Sequence, residues 1–360
     1  MADTTGAAAL QVKLWETKFF KEYVQENLFS QFMGTEENAV IQVRQQLGTR
    51  KGKSITFAKV DRLTGAGVTG SATLEGNEEA MDDRSQEVVI DKIRNAVRVS
   101  EIEEKKSAIS LHDAGRSTLM TWAMEELRDR VILRLGDING VAFLSSSDGQ
   151  RDTWLVDNAD RVLFGDKIVN AVSNDHSTST TTIALTDILS ASFLSLLKRI
   201  ALSANPKIKP IRVEGGKRFF VVFAGPLSFR DLKDDATIKN AQRDVSIRMQ
   251  NNKLFKGGDI EWDGMIVHEV DDIAQVLNVG ASGTVDVAPV YLCGAQAFGM
   301  AWGKRWKTVT ETFDYGDKVG VGIEAIYGLE KLTFGTGSSD TADLKDNGVM
   351  TAWLAATADD

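Results

Sequence analysis

The segment from residue 53 to residue 100 constrains the fold of this chain most strongly. Its first part, KSITFAKVDRLTG, alternates apolar and polar residues with period two, which indicates a half-exposed β-strand near 53–63. Its last part, EVVIDKIRNAVRVS at 87–100, predicts a returning strand. The stretch between them, 64–86, is acidic and rich in glycine, which supplies backbone freedom. The pattern predicts a long antiparallel hairpin that lies on something else, because such a hairpin alone is marginally stable.

A dinucleotide-binding loop is the competing interpretation of the same stretch. Gly65, Gly67 and Gly70 fit G-x-G-x-x-G, and Asp91 follows about twenty residues later, where a ribose-binding carboxylate is expected. However, the approach places charged residues at 61–62, where a buried parallel strand needs an apolar run. The residues that follow, SATLEGNEEAMDDRSQ, lack an apolar stripe of helical spacing, so no helix N-terminus is predicted to bind pyrophosphate. The residues therefore favour the hairpin.

The acidic residues of this stretch indicate an exposed loop tip rather than a cation site. Calcium-binding loops need a tight rhythm of ligands such as D-x-D-x-D-G, which the stretch lacks. We therefore expect a solvated tip with the acidic residues Glu75, Glu78, Glu79, Asp82 and Asp83.

An aromatic segment precedes the hairpin. Part of the region 10–47 has the residue spacing of a helix. The region carries a heavy aromatic load at Trp15, Phe19, Phe20, Tyr23, Phe29 and Phe32. Packing in the subunit's own core is the general expectation for such residues. Docking onto a neighbouring subunit is the more specific interpretation.

Two helices are predicted after the hairpin. The strongest signal is at 111–141, where apolar residues recur every four positions from Leu119 to Val131 and Arg128 belongs to a polar face. A Ser-, Thr-, Asp- and Asn-rich region at 145–182 follows and predicts loops around short elements. The second helix lies in TDILSASFLSLLKRIALSA, with Thr186 or Asp187 as its cap and Pro206 after its end.

The remaining chain predicts a compact α+β domain with a central sheet. RFFVVFAG is a continuous apolar strand, LSFRDLKDDATIKNAQRDV is helical, and GGDIEWDGMIVHEV returns as a strand. The last third predicts further strands, with YGDK as a turn and with alternate residues from Val319 to Tyr327 on one face.

Composition excludes several classes of protein. A net charge of -9 and a pI near 5.1 argue against a surface that wraps nucleic acid. The single cysteine, Cys293, rules out an intrachain disulfide and favours a reducing compartment. The longest apolar run, at 219–225, is too short to span a membrane, so we expect a soluble chain. Three widely spaced histidines form no metal or catalytic motif.

The order of these parts resembles a known fold. An aromatic arm, a long hairpin, a long helix, an α+β domain and a returning glycine-rich strand follow one another as in the major capsid protein of tailed bacteriophages. That fold is the Hong Kong ninety-seven type, which herpesvirus capsid floors share. Three segments look most like the coat family typified by coliphage N-four: LWETKFFKEYVQENLFSQFMG, GKSITFAKVDRLTGAGVTGSATLEGNEEA and FDYGDKVGVGIEAIYGLEKLTF. The similarity covers nearly the whole chain and is weakest at 145–182.

The resemblance implies an α+β capsid fold with defined domains. The implied parts are an N-terminal arm at 1–50, an extended hairpin loop at 51–100, a peripheral domain with the spine helix at 101–184, an axial domain at 185–300, and return strands with a C-terminal tail at 301–360.

The resemblance also implies where subunits meet. The hairpin is expected to lie on a neighbour through Lys53, Lys59, Arg62, Gly65, Gly67, Gly70, Glu75, Gly76, Glu78 and Glu79. The arm is expected to dock through Trp15, Phe19, Phe20 and Tyr23. No catalytic residue, cofactor or metal is implied.

The implied function is structural. Many copies form the hexamers and pentamers of an icosahedral shell around double-stranded DNA, assembled in the host cytoplasm and retained in the virion. Other copies of the chain, scaffolding, portal and cement or decoration proteins are the expected partners. The DNA is enclosed without sequence-specific binding, and no membrane is involved. Some members of the fold join subunits by lysine-asparagine isopeptide bonds, but no motif here assigns that chemistry to named residues.

Two alternatives stand beside this function. One is an oxidoreductase that binds NAD(P) or FAD through Gly65, Gly67, Gly70 and Asp91. The other is a non-viral encapsulating compartment of the same fold, because fold alone does not determine function.

Overall fold

The structure is a computed structural model. It describes residues 28–48, 51–61, 63, 65–81, 83–168, 171–213, 216–245, 260–336 and 342–356. The chain divides into two compact units. The small unit is built from Lys92–Leu127 and Lys304–Ile326. The large unit is built from Phe29–Asp91, Arg128–Gly303 and Tyr327–Asp360.

The described residues form strands and helices in the following order. The strands are β1 Met33–Gly34, β2 Ile41–Arg44, β3 Ser54–Val60, β4 Asp83–Val89, β5 Asp91–Ser100, β6 Val162–Phe164, β7 Ile211–Arg212, β8 Arg218–Ala224, β9 Ile260–Trp262, β10 Met265–Glu269, β11 Val287–Cys293, β12 Phe298–Phe313, β13 Lys318–Lys331, β14 Thr333–Thr336, β15 Ala342–Asp346 and β16 Val349–Ala355. The helices are α1 Glu101–Lys106, α2 Leu111–Leu135, α3 Asp148–Asp157, α4 His176–Thr180, α5 Ala191–Ser203, α6 Pro226–Asp234 and α7 Ala236–Val245.

A seven-stranded mixed sheet forms the centre of the large unit. Its strand order is β6-β16-β11-β8-β10-β9, and β7 pairs with β8 beside this path. β8 and β10 run parallel, with Phe220 opposite Met265, whereas β11 is antiparallel to both β8 and β16. The central strands β8, β11 and β16 are buried on both faces, which explains why β8 reads as the continuous apolar run RFFVVFA.

The two faces of this sheet are covered by different parts of the large unit. Val222 of β8 and Leu292 of β11 face a core that α5 and α6 close with Leu197 and Phe229. The opposite face contributes to a second core, which contains the following residues: Ile138, Trp154, Leu155, Val162, Phe164, Ile183, Val285, Val287, Trp353 and Ala355. The predicted α+β domain with a central sheet is therefore present.

A buried ion pair lies at the edge of the second core. The Lys331 ammonium is 2.7 Å from Asp346 Oδ2, and both side chains are only 2% exposed. Lys331 also donates to the Asp137 carbonyl oxygen at 2.5 Å, and Trp154 Nε1 donates to Asp346 at 3.4 Å. The guanidinium of Arg161 donates to the Asp346 carbonyl oxygen. These bonds join β13, β15 and the segment after α2, so the pair fixes how distant parts of the chain meet.

In the small unit, the first turns of α2 pack on the hairpin formed by β12 and β13. Leu119 and Ala123 contact Val321 and Ile323 in one apolar cluster. The Trp122 and Trp306 rings, which pack against that cluster, meet edge to face with centroids 6.0 Å apart. The predicted burial of alternate residues along β13 and the predicted turn before it are both observed.

An ion pair network also stabilises the small unit. Lys92 Nζ lies 2.8 Å from the Glu324 carboxylate, which Lys304 also contacts. Hydrogen bonds from these two ammonium groups lower the pKa of Glu324 to about 2. Glu324 therefore carries a negative charge at neutral pH and pairs with both ammonium groups.

The region 145–182 holds short elements, as predicted: α3, α4 and β6, which joins the central sheet beside β16. The structure corrects three other sequence predictions. The cap of α5 is Ser190, whose Oγ accepts from Phe193 N, rather than Thr186 or Asp187. The helix predicted after β8 is two helices, α6 and α7, separated at Asp235.

The third correction concerns Arg128, which the sequence pattern places on a polar face of α2. Its guanidinium is buried, at 9% exposure, and contacts the carboxylates of Asp129 and Asp272 at 3.0 and 2.8 Å. A buried arginine with two acidic partners satisfies the requirement that buried charges be paired. The neighbouring residues Val131 and Leu135 are buried as the spacing predicts.

Candidate subunit interface

The predicted hairpin is present and belongs to the large unit. β3 and β4 pair antiparallel over seven residues, from Ser54 opposite Val89 to Val60 opposite Asp83. β4 begins at Asp83, four residues before the predicted return at 87–100, and ends at Val89. Most of the predicted return is β5, which pairs with β13 rather than with β3, so that part of the prediction is wrong. We define the tip as residues 61–82, which connect β3 to β4.

The base of the hairpin is anchored in the subunit's own core. Ile55, Phe57 and Val88 are buried together with Leu332 and Phe334. Such alternate burial along a strand is what the period-two pattern predicts. The hairpin therefore has an apolar base, which the sequence analysis underestimated.

A side-chain amide also fixes the base. Gln86 Nε2 donates to the Lys331 carbonyl oxygen at 3.0 Å, and its Oε1 accepts from Thr333 N at 2.6 Å. The side chain thus satisfies backbone groups at the junction of β13 and β14. The position of the hairpin base on the large unit is consequently set by hydrogen bonds as well as by apolar packing.

Charged side chains line the neck of the hairpin, where the tip begins. Arg84 Nε donates to Asp61 Oδ2 at 3.0 Å, and Lys59 Nζ is 3.9 Å from the same carboxylate. Lys59 also lies 5.3 Å from the centre of the Phe334 ring. Burial lowers the pKa of Lys59, and Asp61 opposes that shift. Lys59, one of the predicted interface residues, thus has partners inside the subunit.

The tip has no helix within the residues described. Gly67, Gly70 and Gly76 have φ of 69°, 71° and 87°, in the left-handed region that glycine adopts without strain. Gly65 N donates to the Glu79 carboxylate at 2.7 Å, and Gly76 N donates to Glu78 at 2.8 Å. The glycines and these two acids therefore shape the tip.

The interpretation of this stretch as a dinucleotide-binding loop is wrong, because the described residues of the tip form no helix. No helix follows Gly65, Gly67 and Gly70 in the described residues 65–81, so the N-terminal N–H groups that bind pyrophosphate are missing. Asp91 is the first residue of β5 and lies in a strand rather than in a ribose-binding loop.

Most of the hairpin tip is exposed to solvent, including two large apolar side chains. Residues 69–81 are all exposed. Leu74 and Met81 remain 63% and 69% exposed although they are large and apolar. Isolated exposed apolar residues are common on proteins. Neither residue was predicted as part of the interface, although a large apolar residue within a polar loop is a signal that the sequence displays.

The other predicted interface residues lie in different environments. Lys53 is exposed just before β3, and Glu75 is exposed within the tip. Arg62 lies outside the described residues, as do all four predicted docking residues of the arm, Trp15, Phe19, Phe20 and Tyr23. The structure therefore brings the described hairpin residues onto one loop, whereas the four docking residues of the arm are not among the described residues.

Two further aromatic residues of the arm region are described, and they are core residues. Phe29 and Phe32 are 1% and 5% exposed. Their rings pack on Phe223 of β8 at centroid distances of 5.0 and 5.6 Å. Phe32 also packs on the His268 ring. For these two residues, the general expectation of core packing is correct.

A groove of about 1480 Å³ runs beside the hairpin within the large unit. Its lining includes Lys59, Asp61 and Glu79 of the hairpin together with Lys207 and Lys209 from the segment that follows α5. The lining is mixed in polarity.

Chemically reactive groups do not converge in the part of the chain that is described. No group of three or more metal-binding side chains occurs among those residues. Cys293 is fully buried in β11, and burial raises the pKa of its thiol well above the ordinary value. None of the helices in the described residues is long and apolar enough to cross a membrane.

Comparison with known proteins identifies the class. The cyanophage Pam1 capsid asymmetric unit superposes with a TM-score of 0.87 at 29% identity, covering 100% of both chains. The capsid of Ralstonia phage GP4 gives a TM-score of 0.79 at 23% identity, again over 100% of both chains. The α+β fold expected for a tailed-phage capsid subunit, the Hong Kong ninety-seven type, is confirmed.

Sequence similarity leads to the same family. The family model described as phage capsid protein matches residues 3–358. The major capsid protein of Pseudomonas phage KPP25 is 29% identical over 366 residues, which cover 96% of this chain and 95% of that relative. The chain therefore belongs to the phage capsid protein family. It is a major capsid protein, a structural component of a phage virion rather than an enzyme.

Proposed function

We propose that copies of this chain assemble into the hexamers and pentamers of an icosahedral shell that encloses double-stranded DNA. The observation that carries the proposal is the contrast between the two ends of the hairpin. Its base is held by the buried residues Phe57 and Val88, whereas its tip is exposed throughout 69–81. A tip of this length on an anchored base is suited to contact another subunit.

Closed assembly follows from the geometry of such contacts. A hairpin that reaches onto a different surface of a neighbour makes a head-to-tail contact, which generates a ring when the rotation closes and a fibre when it does not. Membership of the capsid family favours ring closure. The hexamer and the pentamer are the two rings that an icosahedral shell requires.

The domain assignments extend this proposal. The arm at 1–50 and the hairpin loop at 51–100 are the contacting extensions, and 101–184 is the peripheral domain. Residues 185–300 form the axial domain at the centres of hexamers and pentamers, and 301–360 return to the peripheral domain. Assembly takes place in the host cytoplasm with scaffolding and portal proteins, and with cement or decoration proteins.

The net charge supports enclosure of DNA without specific binding. At -9, the chain has no excess of cations with which to neutralise phosphates across its surface. Because phosphate neutralisation supplies most non-specific affinity for DNA, packaged DNA is free to slide against such a wall.

Electron microscopy of particles that contain the protein tests this function. We expect closed shells with five-fold and six-fold clusters, and nuclease-protected double-stranded DNA inside them. A protein that stays monomeric under all assembly conditions would contradict shell formation. Shells filled with an enzyme cargo instead of DNA would show the non-viral compartment.

A further inference from the structure

The acidic hairpin tip has a basic counterpart elsewhere on the large unit. The tip, residues 61–82, contains five acidic residues, Asp61, Glu75, Glu78, Glu79 and Asp82, and one basic residue, Arg62, and Asp83 follows at the start of β4. Glu75, Glu78 and Asp83 are exposed and have no cationic partner among the described residues. The tip therefore presents uncompensated negative charge to its surroundings.

The counterpart is a segment that we call the basic strip. It consists of Lys207, Lys209, Arg212, Lys217 and Arg218, all of which are exposed. The segment 207–218 holds a single acidic residue, Glu214, which lies outside the described residues. Lys209 Nζ lies 3.5 Å from the Glu37 carboxylate, and the other four basic residues have no carboxylate partner within the described ranges.

The backbone of the basic strip is held in place. β7 pairs with β8, with Arg212 opposite Arg218. On its other side, Arg212 N donates to Asn38 Oδ1 at 2.7 Å, and Asn38 Nδ2 donates to the Arg212 carbonyl oxygen at 2.6 Å. The side-chain amide of Asn38 thus pairs with both the backbone N–H and the carbonyl oxygen of Arg212 on β7. The cations are consequently presented on a rigid edge, which lowers the entropy cost of binding.

Three acidic residues of the tip and its junction with β4 are not neutralised by the basic strip of the same subunit. Glu79 and Lys207 both line the groove beside the hairpin, but no ion pair joins Glu75, Glu78 or Asp83 to the strip in the described part of the chain. Both charged surfaces are therefore available to a partner.

We infer that the acidic tip of one copy docks on the basic strip of a second copy. The inference rests on the proposed function, in which the hairpin contacts a neighbour, and it names the surface that the hairpin contacts. Charge complementarity accelerates association and suppresses wrong contacts, and like charges placed together cost several kcal/mol. The same contact between tip and strip occurs at every subunit boundary of a ring, so small electrostatic contributions add up over the assembly.

DNA is the other polyanion that could occupy the basic strip. The tip is favoured because it belongs to the same chain, so its copy number always equals that of the strip. Five cations would otherwise give each subunit an affinity for DNA that falls steeply with salt. Binding of the subunit to double-stranded DNA is therefore included as an outcome of the test.

The test is a charge exchange between two variants. The tip variant carries Glu75→Lys together with Asp83→Lys at the start of β4, and it keeps Glu78 and Glu79 because their carboxylates accept hydrogen bonds from Gly76 N and Gly65 N. The strip variant carries the following changes: Lys207→Glu, Arg212→Glu and Lys217→Glu. Each variant alone then presents like charges at both surfaces. A one-to-one mixture restores opposite charges at every contact between unlike copies.

The expected readout is particle yield by sedimentation at low salt. Each variant alone should lose about tenfold or more in yield, because like charges face each other. The mixture should recover to within about threefold of wild type and contain both variants in each particle. A control, Lys105→Glu with Lys106→Glu on the exposed helix α1, should assemble like wild type.

Three results would overturn the inference. Normal assembly of the strip variant alone would show that the strip is not a docking surface. Failure of the mixture, with both variants folded by circular dichroism, would show that the two surfaces do not meet between copies. Salt-dependent DNA binding by the wild type, lost in the strip variant without loss of assembly, would assign the strip to DNA. Failure of the wild type to assemble would instead contradict the proposed function.

Discussion

Glu79 and Gly65 join the two sides of the hairpin tip. The Glu79 carboxylate accepts a hydrogen bond from Gly65 N at 2.7 Å, although the two residues are fourteen positions apart in the sequence. A Cβ at residue 65 would lie 2.6 Å from the same carboxylate, so glycine is required there unless Glu79 moves. The tip therefore has a defined shape before it meets a partner.

Removal of this bond should affect assembly more than stability. For Glu79→Ala, we expect a change in subunit unfolding free energy below about 1 kcal/mol, because the bond is exposed to solvent. Particle yield should fall, since the tip becomes less ordered. Glu79→Gln keeps an acceptor at the same place and should assemble better than Glu79→Ala. Equal yields for the two variants would show that the bond does not shape the contact.

Substitutions in the base of the hairpin should instead lower the stability of the unassembled subunit. Phe57→Ala removes a ring that is 5% exposed and should cost about 3–5 kcal/mol in urea unfolding of the unassembled subunit. Val60→Ala is the matched control on the same strand, because Val60 is 58% exposed. Its effect on stability should stay within about 0.5 kcal/mol. Similar losses for both variants would contradict the division into a buried base and an exposed tip.

The buried pair of Lys331 and Asp346 should show strong coupling. Asp346→Asn leaves the Lys331 ammonium buried without its counter-ion and should cost about 3–5 kcal/mol of stability. Lys331→Met leaves the carboxylate and should cost a similar amount. The double variant should lose clearly less than the sum of the two single changes, as a double-mutant cycle in urea would measure. Additive losses would mean that the two charges do not stabilise each other.

His176 should make stability depend on pH. Its ring is 2% exposed and packs among the rings of Phe143, Phe164 and Trp353. Burial lowers the pKa of His176 from 6.5 to about 4, and Arg151 acts in the same direction, whereas Asp148, Asp152 and Asp175 oppose it.

The lowered pKa of His176 determines whether the stability of the subunit rises or falls with pH. Between pH 6.5 and pH 4 the unfolded chain binds a proton at His176 that the folded chain does not, so stability falls as pH falls. The full loss is about 3 kcal/mol. His176→Phe should remove this part of the slope in urea unfolding at several pH values. An unchanged slope in His176→Phe would show that the buried ring does not titrate as described.

The sequence contained enough information to predict the hairpin and much of the sheet. Alternation in β3, the unbroken apolar run of β8 and the spacing of α2 are local signals, and each is observed as predicted. The resemblance to tailed-phage coats added the order of the parts and the structural function.

Other features depended on tertiary contacts that a sequence does not display. β6 has only three residues, and it is a strand because β16 lies beside it. Arg128 is buried because Asp272, distant in sequence, supplies a partner. The break between α6 and α7 occurs at Asp235, whose carboxylate accepts from Ala191 N at 2.8 Å and from Thr237 N at 2.7 Å.

The sequence was sufficient to predict which charged residues lie in the candidate interface. It was not sufficient to predict what each of these residues bonds to. Glu78 and Glu79 were selected as charges that face a neighbour, and the structure shows that both also bond to the backbone of the tip. Their geometry depends on the φ angles of nearby glycines, which composition alone does not define. The basic strip went unnoticed because its five cations are spread over twelve positions and lie together only through the pairing of β7 with β8.

Replacement of residues 65–81 by a four-residue glycine-serine linker tests the central claim most directly. The change leaves the pairing of β3 with β4 intact and removes the exposed part of the tip. Sedimentation and circular dichroism should be recorded on the same sample. We expect a folded subunit with wild-type helix content that no longer forms shells, because the tip contributes nothing to the buried core of the hairpin base. Shells of normal size from this variant would contradict the claim that the hairpin tip is an assembly element.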